Sequence, residues 1–245
     1  ARAVLNVRDT VSFARATRLE AAPRWFGVGA PMLPGLHANE RGVFIADRFT
    51  MIVVENANVQ TFRMHAELPG EYNLENLAAA LGGALELGCD PAMLAQAVRG
   101  VSLPRGRYES VTLAQGLRVI FDAYNASMSG MIATLEAFAQ ESGTKRIAVL
   151  GSMAELGTES AQMHHTVGKH AAHSNLDFLL VGGEYADDLA AGARSAGFDA
   201  ARIARFAGND EAVAWIKEHA GSGDVVLLKG SRMYKLEQIL QGLRA

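Results

Sequence analysis

Apolar and polar positions change rhythm close to residue 104. From Gly42 to Leu68 they alternate in a stretch rich in Val, Ile, Phe and Thr, with Glu55, Asn56 and Asn58 offering turns, which predicts antiparallel strands. Pro69 and Gly70 stop that pattern. Leu74, Leu77, Ala78, Leu81 and Leu85 then recur at helical spacing, with Gly88 as the C-cap. A second helix is expected from Pro91 to about Arg99, with proline in its first turn. Upstream, Ala1 to Val7 and Arg24 to Val28 read as strands, Thr10 to Leu19 as a short helix, and Gly29 to Gly35 as a Gly/Pro-rich loop.

The segment Gly100 to Tyr108, GVSLPRGRY, has Gly and Pro punctuation and no periodicity, so a domain boundary is placed there, giving domains 1–104 and 105–245. Beyond it, strands alternate with helices. Strands are expected at Ser110 to Leu113, Arg118 to Phe121, Arg146 to Leu150, Phe178 to Val181, Arg202 to Phe206 and Val225 to Leu228. Helices are expected at Met131 to Ala139, Ala161 to Ala172, Asp187 to Ala196, Glu211 to His219 and Tyr234 to Leu243. Alternation with near-continuous apolar strands predicts an α/β fold with a doubly wound, mostly parallel sheet.

Composition narrows the partners. In 245 residues, 23 Lys plus Arg stand against 26 Asp plus Glu without long blocks of one sign, so no nucleic-acid face is expected and small molecules are the expected ligands. The single cysteine, Cys89, cannot form an internal disulfide, and no apolar run approaches the roughly 20 residues of a membrane span. The expectation is a cytoplasmic protein, acting as a monomer and away from membranes. The chain starts directly in strand-like AVLNV, which suggests a piece cut from something longer.

Candidate chemistry lies at strand ends. The stretch LRVIFDAYNAS, Leu117 to Ser127, reads as a buried strand ending at Asp122, the edge where open α/β sheets bind ligands. A carboxylate there can accept from a ribose diol, while Asn125, Ser127 and the next helix N-terminus can donate to an anion. The bland alternative is that Asp122 and Asn125 only shape a turn and cap a helix. Asn73 and Asn76 in GEYNLEN, three apart, would put two amides on one side of a helix, away from the leucine stripe, where they can read a base edge. N-capping by Asn73 is the simpler role. Arg105 and Arg107 in PRGRYE can meet a phosphate, or serve solubility alone. In KGSR, Gly230 allows close backbone approach while Lys229, Ser231 and Arg232 can hold a carboxylate. The loop LGSMAELG offers Glu155 to a cation or as a cap for the next helix. Of the histidines on one predicted helix, only His170 and His173 share a face closely, and no metal site is expected. No phosphate loop and no G-x-G-x-x-G after a strand is present, which argues against an autonomous P-loop enzyme or a standard dinucleotide dehydrogenase.

In order, GEYNLENLAAA, LPRGRYE, VIFDAYNAS, VLGSMAELGTES with His164, and VLLKGSR resemble the Mur ligases of peptidoglycan synthesis. The likeness is strongest to the branch that adds D-alanyl-D-alanine to UDP-N-acetylmuramoyl-tripeptide. It implies the last third of a central ATP-binding domain followed by a Rossmann-like C-terminal domain. It also implies an ATP-dependent amide ligase working through an acyl phosphate, with Mg2+ ligands mainly in upstream parts, and a fragment of little activity alone. By the resemblance Asn76 approaches adenine with Asn73 beside it, Arg107 contacts ATP phosphate and Asp122 binds ribose. Asn125, Ser127, Ser231 and Arg232 would meet the amino substrate, and Arg107 and Lys229 are the candidate catalytic cations. The sequence departs from the family at Tyr72, where His is usual, and at Arg8, Met128, Gly130 and Ser152. Another amide ligase of the superfamily, such as a folylpolyglutamate type, and a non-catalytic nucleotide-binding module remain the alternatives.

Overall fold

The computed structural model describes residues 3–31, 34 and 39–245. It divides into two compact units, Ala1–Ser102 and Leu103–Ala245. Part of the expected Gly29 to Gly35 loop and the first two residues of the expected opening strand lie outside the described residues.

In the first unit β1 (Val4–Asn6), β2 (Arg24–Val28), β3 (Arg41–Asp47), β4 (Thr50–Glu55) and β5 (Asn58–Arg63) form one sheet in chain order. β1 to β3 run parallel, and β3 to β5 are antiparallel. Glu55 pairs with Asn58 across the two-residue turn Asn56–Ala57, both at positive φ (49° and 66°), the conformation that matches the twist of a tight hairpin. α1 (Thr10–Ala16) is capped by Asp9, whose carboxylate accepts from the Val11 and Ser12 N–H groups. Ala16, Trp25, Phe44 and Val54 form a core cluster, and burial of a side chain such as Phe44 contributes roughly 1.5–3 kcal/mol.

The predicted leucine stripe becomes α2 (Glu71–Glu86), which buries Leu74, Leu77, Ala78, Leu81 and Leu85. Gly82 lets it approach the sheet: a Cβ there would stand 2.8 Å from Val4 Cγ1. Beneath it the Arg24 guanidinium, almost fully buried, meets Glu55 at 2.5 Å and Glu86 at 2.8 Å, and Glu86 also takes Arg41 at 2.9 Å. α3 (Pro91–Ala97) starts with Asp90 accepting from Met93 N at 2.9 Å.

In the second unit β6 (Glu109–Thr112), β7 (Arg118–Asp122), β8 (Arg146–Gly151), β9 (Phe178–Gly182), β10 (Ile203–Phe206) and β11 (Val225–Lys229) build a sheet of order β10-β9-β8-β11-β7-β6. Only β6 is antiparallel to its neighbour. α4 (Met128–Phe138), α5 (Ser160–Ala172) and α6 (Ala186–Ser195) share one core with the sheet. α7 (Asn209–His219) and α8 (Glu237–Arg244) share the other, so the sheet is doubly wound as expected. α5 and α6 pack through two glycines. A Cβ on Gly168 would lie 2.1 Å from the Leu189 carbonyl oxygen, and one on Gly192 would lie 2.0 Å from that of His165. On α7, Trp215 stacks on His219 with ring centroids 4.0 Å apart.

Some element ends move. Arg202 belongs to a 3-10 turn capped by Asp199 rather than to a strand, because its guanidinium is held by the Leu176 and Asp177 carbonyls. Tyr234 also lies in a 3-10 turn, and Lys235 at φ 50° breaks the chain before α8 begins at Glu237. α4 starts three residues earlier than expected, since Ser127 Oγ caps it by accepting from Gly130 N at 3.2 Å. Among the described residues no helix is long and apolar enough to cross a membrane.

Candidate functional site

β11 lies between β7 and β8, yet the helix that follows β11 packs on the opposite face from those that follow β7 and β8. Loops diverging from adjacent parallel strands open a crevice at their carboxyl ends, which is where such sheets bind ligands. The loops after these three strands meet at this edge, although Glu155, singled out in the loop after β8, is exposed and among the described residues makes no contact with the others. Asp122 and Lys229 end β7 and β11 in direct register. At the β11 end, a Cβ on Gly230 would stand 2.9 Å from Gly151 Cα, so only glycine allows the loops after β8 and β11 to approach this closely.

The centre of this edge is a buried pair. Lys229 Nζ lies 3.2 Å from Asp122 Oδ2, with the two side chains only 4% and 6% exposed, and it donates to the Asn125 carbonyl at 2.8 Å. Asp122 Oδ2 also accepts from Thr134 Oγ1 at 2.6 Å, and Oδ1 from Tyr108 N at 3.2 Å. Tyr108 is in the left-handed region, φ 49°, and this bond to the buried carboxylate helps hold it there. Burial pushes the Lys229 ammonium below the ordinary lysine range. The charge and hydrogen bond of Asp122 oppose that shift, while the Arg107 charge adds to it. Asp122 thus stands at the expected place, but its carboxylate is not the open acceptor that the sequence reading assumed. Three donors already reach it, leaving about one of its four acceptor positions.

The rim differs from the centre. Tyr124 is half exposed, and the guanidinium carbons of Arg107 and Arg232 lie 4.7 Å and 5.5 Å from its ring centre. Both cations use the ring as a platform and stay within about 10 Å of each other. Among the described residues neither has a carboxylate partner, so their N–H donors remain open to an anion. Ser231 is buried, with its N–H donating to the Ser152 carbonyl at 3.1 Å. Asn125 is occupied locally, its Oδ1 accepting from Ala126 N at 2.8 Å, and Ser127 is the α4 cap. Arg105 is exposed outside this cluster of contacts.

The loop after β8 is held from behind. His164, fully buried on α5, uses Nδ1 on the Ser160 carbonyl at 2.6 Å and accepts the Met153 N–H on Nε2 at 2.8 Å. That pairing fixes a neutral imidazole with its proton on Nδ1. Burial lowers its pKa, against the pull of the Ser160 carbonyl. Ser152 Oγ donates to the Gly182 carbonyl and accepts from Tyr185 N at 3.0 Å. Glu155 takes a left-handed turn, φ 62°, and does not cap α5. Among the described residues no group of three His, Cys, Asp or Glu could hold a metal ion.

In the first unit the two amides separate. Asn76 is exposed, whereas Asn73 is buried among the leucines, its Nδ2 donating to the Pro69 carbonyl at 2.7 Å. The expectation of two amides together away from the leucine stripe is corrected. Gly70, at φ 73°, is the N-cap, so Asn73 falls inside the first turn and folds back on the entry loop. Arg8 reaches the same helix start, pairing with Glu71 at 2.7 Å. The sequence reading missed Thr134, Tyr108 as a donor, and Tyr124. A hydroxyl within the apolar stripe of α4 and an aromatic between a polar strand end and its cap were the available signals.

Residues 106–232, more than half of the chain, match the family model described as "Mur ligase, glutamate ligase domain". The chain belongs to the Mur ligase family. The UDP-N-acetylmuramoyl-tripeptide--D-alanyl-D-alanine ligase of Bacillus subtilis (strain 168) is 31% identical over 175 residues, covering 71% of this chain and 38% of its own length. The enzyme of the same name from Synechocystis sp. is 32% identical over 193 residues, covering 78% of this chain and 41% of its own. This Mur ligase chain therefore spans about two fifths of those relatives. A crystal structure of MurF from Acinetobacter baumannii matches its fold with TM-score 0.73 at 22% identity, over 100% of this chain and 52% of the other. MurF ligase from Thermotoga maritima, solved in complex with ADP, gives 0.65 at 20% identity, over 99% and 61%.

Proposed function

We propose that this chain is part of an ATP-dependent amide ligase that joins D-alanyl-D-alanine to UDP-N-acetylmuramoyl-tripeptide. Residues 1–104 would form the end of its central ATP-binding domain and residues 105–245 its C-terminal domain. The observation that carries the reading is the pair of guanidiniums, Arg107 and Arg232, over one tyrosine at the switch-point edge of the sheet and without a carboxylate partner among the described residues. The names of the relatives supply the substrates.

A carboxylate is a poor acyl donor, so ATP first phosphorylates it, and the dipeptide amine then attacks the acyl phosphate. Negative charge builds on phosphate oxygens and on the tetrahedral intermediate, and fixed cations offset it without reorganising. Arg107 is assigned to phosphate and Arg232, with Ser231, to the dipeptide carboxylate, each able to give two parallel N–H bonds or a hydroxyl. Lys229 supports this electrostatically from below, tethered to Asp122 and the Asn125 carbonyl. Asp122 retains room for about one ribose hydroxyl, and its larger role is to fix Tyr108 and Lys229. The exposed Asn76 is assigned to adenine, and Asn73 to shaping its helix. Asn125 and Ser127 act by setting the α4 entrance. Magnesium does not fit this edge, where Asp122 is already neutralised by a lysine.

The test is phosphate release from Mg-ATP by the product of the complete reading frame containing this chain, with UDP-N-acetylmuramoyl-tripeptide and D-alanyl-D-alanine. Turnover should need both substrates, and Arg107→Ala should lower kcat/KM by roughly 100-fold. Release supported by glutamate but not by the dipeptide would move the assignment to another amide ligase. No release with any amino substrate would favour a non-catalytic module.

A further inference from the structure

The first unit holds a second cationic cleft, of about 860 Å³, that shares no residue with those assigned above. The buried Met64 and Ala95 line it, together with the β3–β4 turn, the end of β5, α3 and the turn that follows α3. Arg63 and Arg99 both line it and are both exposed, and among the described residues neither guanidinium has a hydrogen-bond or carboxylate partner. Phe49 stacks on His65 with ring centroids 5.3 Å apart and planes 14° apart, and the residue is still 58% exposed. Its main chain is fixed: Phe49 N donates to Asp47 Oδ1 at 2.7 Å, and its carbonyl accepts from Met64 N at 2.9 Å. Among the described residues no carboxylate lines the cleft; Glu67 reaches His65 Nε2 at 3.8 Å from a position 82% exposed.

We propose that this cleft is a binding site for a small anion carrying a planar ring, the chemistry of a nucleoside monophosphate. A held aromatic face exposed to water is suited to stacking a second flat ring. Two guanidiniums without counter-charges suit a dianionic phosphate, which each can grip with paired N–H groups. Thr50 and Gln96, also in the lining, supply a hydroxyl and an amide for ring substituents. The volume lies within the usual range of small-molecule sites, roughly 300–1,000 Å³.

Isothermal titration of this chain with adenosine monophosphate tests the site, with inorganic phosphate and adenosine as part-ligands and Arg107→Ala as the control for the other edge. Adenosine monophosphate should bind at least tenfold more tightly than either part-ligand. The double variant Arg63→Ala/Arg99→Ala should weaken it at least tenfold and Phe49→Leu at least threefold, in the native chain and in the Arg107→Ala background alike. Should the double alanine variant lose its native circular dichroism, Arg63→Gln/Arg99→Gln keeps the side-chain length and is expected to show the same loss. The proposal is overturned if adenosine monophosphate does not bind at millimolar concentration, if affinity survives removal of both guanidiniums, or if it falls only in Arg107→Ala.

Discussion

Each unit buries a cation against its sheet, and the two neutralise it differently. In the first, Arg24 is shared by Glu55 and Glu86, and Glu86 has a second cation in Arg41. In the second, Lys229 has one carboxylate, Asp122, and one backbone carbonyl. A guanidinium keeps its charge at any pH a protein meets, so the Arg24 cluster is a fixed joint between α2 and the sheet. An ammonium can lose its proton, so the charge of Lys229 depends on a single neighbour. The fixed joint lies under a helix, and the conditional charge lies at the edge where ligands are expected.

That contrast can be broken most severely from Asp122. Asp122→Ala strands a buried ammonium and removes the acceptor for Tyr108 N and Thr134. It should cost the second unit about 3–5 kcal/mol, read as a lowered urea midpoint. A loss below about 1 kcal/mol would mean that the pair carries no such weight. Arg24→Ala should cost the first unit less, about 2–3 kcal/mol, because Arg41 still neutralises Glu86. Lys229→Met should cost about 1–3 kcal/mol at neutral pH, since Asp122 retains its other two donors.

The same variant sharpens the comparison through pH. The folded-state pKa of Lys229 is depressed below the ordinary lysine value of 10.5, so between the two values the unfolded chain binds more protons. Stability from this group therefore rises with pH through that window and levels off above 10.5, a rise that Lys229→Met should lack. Arg24→Ala should leave it in place. The smallest effect is expected at His164, whose pKa is also lowered: the unfolded chain takes up the proton first as pH falls below 6.5. The acid loss of stability, at most about 1.4 kcal/mol per pH unit, should flatten in His164→Gln. An unchanged acid limb would show that this imidazole titrates alike in both states.

How far all this was legible follows from which contacts are local. VIF, IAVL, FLLV and VVLL announce buried strands because a strand covered on both faces needs apolar residues without interruption. Asp122 and Lys229 could be placed at one sheet edge because each follows such a run. Their pairing could not, since it depends on β11 inserting between β7 and β8, a matter of non-local packing. Asn73 was misplaced because a left-handed Gly70, invisible to periodicity, sets the phase of the first turn of α2. Tyr124 gave no helical or strand signal, and its use as a platform for two arginines depends on residues 107 and 232, far apart in the chain.

The chain has two tryptophans, and each unit holds one of them. Trp25 is sealed in the first core, while Trp215 lies flat against an imidazole on α7. An indole enclosed in hydrocarbon emits at shorter wavelengths than one near water, and a neighbouring imidazole quenches more strongly once protonated. The emission spectrum therefore carries two built-in reporters. With Trp25→Phe or Trp215→Phe silencing one at a time, the unfolding of either half can be followed by light alone, without attaching a dye.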